Sequence, residues 1–269
     1  MAPTTATFSE LSAEIQPAAI NAEVAVALAI RALDEGRFDE AEPLAKRATR
    51  EGADWPVSWF VLGRVHIGRE TPKLGAQQHR SGLLDEWRRR AAKQSFDTAA
   101  DLARKQTPPH PILIDVLLNR ARLRTVLDAS SSPDDLDEAF RLAPDDPRVL
   151  LDYATLVRSR GRPQEAIALL RKALFIQDEP YLRFQLAHVL GAEKTAAAKQ
   201  ESTELFAMVA RHSAPFQSDA ALYAVQGFTE RAGWDEAAQF IDDNATNLPT
   251  STVAVLRATL AQAMHDEES

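Results

Sequence analysis

One short phrase returns three times along this chain, and it restricts the backbone that can carry it. Gly36-Arg37-Phe38-Asp39-Glu40-Ala41, Gly161-Arg162-Pro163-Gln164-Glu165-Ala166 and Gly233-Trp234-Asp235-Glu236-Ala237 each read glycine, a short bridge, an acidic residue, then alanine. The last is one residue shorter. Glycine suits the left-handed residue just past a helix end. An acidic residue in a first turn complements the positive end of the helix dipole. The small alanine lets a paired helix cross closely. Each phrase is therefore read as a tight turn between two antiparallel helices.

Helical spacing flanks each phrase. Val24, Leu28 and Ala32 share one face. Residues 22–52 thus read as helix, turn, helix, with Pro43 near the first turn of the second helix, where a missing N–H matters least. Residues 148–180 repeat the shape, with Leu150, Tyr153, Ala154 and Val157 on one helix and Ala166, Leu169, Leu170 and Ala173 on the next. Weaker pairs fall at 56–108, 110–146, 181–215 and 219–247. An alanine-rich stretch, Ala196 to Ala198, precedes the second helix of its pair. Residues 1–19 form a lead-in carrying Phe8 and Leu11. The repeats span 20–247, interrupted by an insertion at about 69–95. Residues 248–269 make a capping helix, from about Ser251 to Met264, and an acidic tail. Aromatics are only 7% and glycines number 10, a composition that favours helices over sheet.

The pair beginning Trp59-Phe60-Val61-Leu62-Gly63-Arg64-Val65-His66 resembles the tetratricopeptide repeat, whose first helix carries Trp-x2-Leu-Gly-x2-Tyr. His66 stands where the tyrosine would be. Leu28-Ala29 and Tyr153-Ala154 stand at the Leu-Gly pair, Ala41 with Ala48 and Ala166 with Ala173 at the packing alanines, and Pro144 and Pro180 at the closing proline. The resemblance implies an all-α, right-handed solenoid of antiparallel helix pairs. It also implies a groove lined by first helices that holds another protein or peptide.

On that pattern the groove candidates are Phe60, Arg64, Arg148, Leu151, Arg158, Tyr181, Phe184, His188 and Tyr223. Aromatics with arginines are the mixture that protein-binding surfaces favour, although packing between units explains such side chains equally well. One subfamily grips chaperone C-termini with a Lys/Asn/Lys/Arg clamp. The matching positions here are apolar or acidic, namely Val26, Ile30, Val61 and Asp152, so such tails are not expected to bind. Trp87-Arg88-Arg89-Arg90 is a second candidate patch, or simply a solvated helix face with one packed tryptophan.

Other chemistry has little support. The net charge of -8 disfavours nucleic acid and the absence of cysteine removes thiolate nucleophiles and Cys-based metal sites. His66, His79, His110, His188, His212 and His265 form no close ligand pair, and no phosphate loop or nucleophile elbow occurs. Asp39-Glu40 and Asp235-Glu236 sit at helix starts, where capping explains them. No cofactor, metal or catalytic residue is expected. The first basic residue is Arg31 and the early apolar run Val24 to Ile30 is too short to cross a bilayer, so a cytoplasmic protein is expected. Three functions stay open: a scaffold or adaptor, a structural subunit of a larger complex or homo-oligomer, and a ligand-sensing regulator in which Arg64 and Arg158 take an anion.

Overall fold

The computed structural model describes residues 21–68, 82–127, 133–211 and 216–268. Every regular element among them is helical, and the fold is an all-α solenoid. The chain divides into two compact units, Met1–Leu142 and Ala143–Ser269.

The first unit begins with α1 (Ala22–Asp34) and α2 (Phe38–Glu51). Asn21 caps α1 by accepting the Val24 N–H at 3.0 Å. Their seam is alanine on both sides, Ala25, Ala29 and Ala32 against Ala41, Ala45 and Ala48, all without exposed surface. Side chains this small let the two helices approach closely. Pro43 is the sixth residue of α2, inside the helix just past its first turn. Next, α3 (Pro56–Gly68) packs on α1, α2 and the helix that follows. It therefore buries most of its circumference, including Val61, Leu62 and Val65. The Trp59 indole N–H donates to the Ala53 carbonyl at 2.8 Å and ties α3 to its entry loop.

That following helix, α4 (Gly82–Arg104), corrects one expectation. The Trp87–Arg90 run and the Phe96/Ala99/Ala103 stripe belong to a single 23-residue helix rather than to an insertion followed by a helix. Only the stripe has a core to face. Phe96, Ala99 and Ala103 are fully buried, whereas Trp87 is 56% exposed. Residues 69–81 of the expected insertion, and the 1–19 lead-in with Phe8 and Leu11, lie outside the described residues. The unit closes with α5 (Leu113–Leu127) and the short α6 (Pro133–Leu142).

The second unit holds α7 (Pro147–Ser159), α8 (Pro163–Ile176), α9 (Pro180–Gly191), α10 (Ala196–Ala210), α11 (Gln217–Thr229), α12 (Trp234–Asn244) and α13 (Thr250–Glu268). Pro147, Pro163 and Pro180 each open a helix, where the missing N–H has no intrahelical partner to lose. Ala196 to Ala198 form the first turn of α10, capped by Thr195, not a stretch ahead of it. The last helix runs four residues past Met264 and takes up Asp266 and Glu267 of the expected tail. Its Val253, Leu256 and Leu260 join the core that α11 and α12 also enter.

The three recurring turns prove equal in length once the left-handed residue is located. Gly36 has φ +71 and Gly161 φ +74, but in the third turn the left-handed residue is Ala232, φ 57, and Gly233 follows it. All three close the same pair of hydrogen bonds. The residue after the left-handed one donates five residues back (Arg37 to Ala32, Arg162 to Val157, Gly233 to Phe228) and the left-handed residue donates three back. A side chain in that conformation is strained. Ala232→Gly is therefore expected to raise stability by up to about 1 kcal/mol, and Gly161→Ala to lower it by about as much. Urea unfolding midpoints of both variants check this. A drop for Ala232→Gly would contradict it.

Candidate partner-binding face

Within the second unit, α9 sets Tyr181, Phe184 and His188 along one side by their three- and four-residue spacing. Two neighbouring helices bring further rings to them. Phe184 is the hub, with ring centroids of His188, Phe216, Phe206 and Tyr223 at 4.6, 5.0, 5.5 and 6.3 Å. Tyr223 from α11 lies nearly parallel to Phe206 at 4.9 Å and edge-on to His188 at 4.7 Å. Tyr181 rests on Phe216 at 5.5 Å. Tilted and edge-to-face pairs of this kind add to the stabilisation from burial alone.

Beside the rings, a cavity of about 580 Å³ opens between α9, α10 and α11. Its floor is α10, through Ser202, Thr203 and Phe206. Two glycines admit it. A Cβ on Gly191 would stand 3.0 Å from the Ser202 hydroxyl, and one on Gly227 would fall 2.1 Å from Thr203 Oγ1 and 3.0 Å from its Cβ and Cγ2. The floor hydroxyls are committed to backbone, Ser202 donating to the Ala187 carbonyl at 2.8 Å and Thr203 to that of Lys199 at 2.9 Å. The charges at the mouth are paired, Lys199 with Glu230 at 3.3 Å and Arg231 with Glu236 at 2.6 Å. The His188 imidazole and the exposed Tyr223 hydroxyl have no hydrogen-bond partner among the described residues.

Burial and, next, the Arg158 charge hold the His188 pKa below the usual imidazole value, while Asp219 works weakly the other way. The unfolded chain then takes up this proton at a higher pH than the folded chain. Stability is complete above about pH 6.5, declines as the pH falls below it, and levels off once the folded ring is protonated as well. Thermal midpoints followed downward from neutral pH should show this limb, and His188→Gln should flatten it. A limb unchanged in that variant would assign it to another group.

Four of the nine groove candidates thus gather in one place, Tyr181, Phe184, His188 and Tyr223, while Arg158, exposed in the last turn of α7, reaches them only through its charge on His188. The others do not join them. Phe60 is buried to 9% exposure with its ring 5.9 Å from Phe96, so it packs the core of the first unit instead of lining a surface. Arg64 is exposed on the same helix. Arg148 is held by Asp146, the cap of its own helix, at 2.7 Å, and Leu151 is half-buried. In the second patch Trp87 meets buried His66 edge-on at 5.9 Å, Arg90 pairs with Glu86 at 2.5 Å, and Arg88 and Arg89 are partly exposed. Sequence reading missed Phe206 and Phe216. It sought ligands only on the first helix of each pair, whereas Phe206 rises from a second helix and Phe216 from the loop before α11.

The tetratricopeptide-repeat family model matches residues 26–77 and 126–180. No curated protein sequence matches the chain. Among solved structures, the fold is similar to that of yeast Tom70, at 15% identity and a TM-score of 0.58 over 92% of this chain and 48% of that one. It is also similar to pilF of Pseudomonas aeruginosa, at 15% identity and a TM-score of 0.62 over 88% of this chain and 97% of that one. A chain of the APC/C hetero-tetramer Cut9–Hcn1 matches at 12% identity and a TM-score of 0.63, over 88% of this chain and 42% of that one. This chain therefore spans less than half the length of the Tom70 and Cut9–Hcn1 chains. Likeness at these identities is a likeness of fold.

Proposed function

Because the chain is a tetratricopeptide-repeat protein, we propose that it is a non-catalytic scaffold or adaptor that holds a partner protein or peptide on the ring-lined face of α9–α11. The observation that carries this reading is the cluster itself. Tyr181 and Tyr223 remain 43% and 39% exposed although each is fixed by neighbouring rings. Aromatic side chains already held in one geometry lose little freedom when a partner covers them, which is why such residues dominate binding energy. Tetratricopeptide repeats are in general protein-binding units, and that background supports the same reading.

Tyr223, rather than Phe184, is the side chain to remove. Phe184 is the hub of the cluster, so its truncation would loosen the fold and blur a binding result. Tyr223→Ala should weaken partner binding by more than about 1 kcal/mol, and the folding stability lost with its ring contacts is read separately from the unfolding midpoint. The measurement is affinity capture of a stoichiometric partner from lysate of the source cell by the native protein and the variant side by side. Capture that Tyr223→Ala leaves intact would move the contact off this face. The lack of any stoichiometric partner would sink the scaffold reading.

A further inference from the structure

We draw no further inference here: the strongest candidate, the cavity between α9, α10 and α11, belongs to the ring-lined face already described, and nothing in the structure shows what covers it.

Discussion

Asp135→Ala should destabilise the first unit by about 3–5 kcal/mol. Asp135 is 2% exposed in the first turn of α6 and receives Arg120 side-on, Nε donating to Oδ2 at 2.8 Å and Nη2 to Oδ1. Arg124 adds a contact to Oδ2 at 3.0 Å, and Asp97 of α4 takes the remaining side of Arg120 at 3.2 Å. Burial opposes the Arg120 charge, but the hydrogen bonds and charge of Asp135 outweigh it and raise the arginine's pKa. One carboxylate therefore joins α5 to α6, while Arg120 joins both to α4. Deleting it leaves a guanidinium that is only 8% exposed with Asp97 as its remaining carboxylate. Replacing the pair together, as Arg120→Met with Asp135→Leu, should recover most of the loss, because two apolar side chains carry no unpaired charge. Urea unfolding read by tryptophan fluorescence checks this. In a Trp234→Phe background the remaining Trp55, Trp59 and Trp87 all report the first unit. A loss below about 1 kcal/mol for Asp135→Ala would mean that water already screens the pair.

The second large effect is expected at Gly63, where α3 crosses α4. A Cβ there would stand 2.5, 2.7 and 2.9 Å from three carbons of the Phe96 ring, and that ring has no exposed surface into which to move. Alanine is the better helix former by about 1 kcal/mol, so an open site would gain from Gly63→Ala. Here the overpacking should prevail and leave a net loss of about 1–3 kcal/mol. The control is Phe96→Leu, which should itself be destabilising but should shrink or reverse the penalty of Gly63→Ala in a double-mutant cycle. Additive losses would show that the two residues do not compete for the same space.

Gly63 also shows how legibility was distributed. Trp59, Leu62 and Gly63 could be read as a repeat signature, and the reason for the glycine followed once Phe96 was found against it. The partner ring lies 33 residues away beyond residues whose pattern gave no helix boundary, and the distance between two helices is not a local property. The turns behave likewise. Gly36 and Gly161 announced themselves because only glycine takes that backbone without strain, while in the third turn the left-handed position fell on Ala232, so that the turn counted from Gly233 read as one residue shorter.

The candidate face was legible in part for the same reason. Tyr181, Phe184 and His188 could be placed on one side of a helix because three- and four-residue spacing is a local rule. Phe60 obeyed the same rule and was nevertheless core, because α3 is covered on several sides and spacing says nothing of how many neighbours a helix has. Sequence alone thus determined that the chain is helical and that helix pairs repeat along it, since propensity, capping and turn chemistry act within a few residues. Only the tertiary structure decided which aromatic became hub, wall or core, and where α9, α10 and α11 leave a cavity between them. Those outcomes depend on contacts between helices, in which residues far apart in sequence compete for one volume.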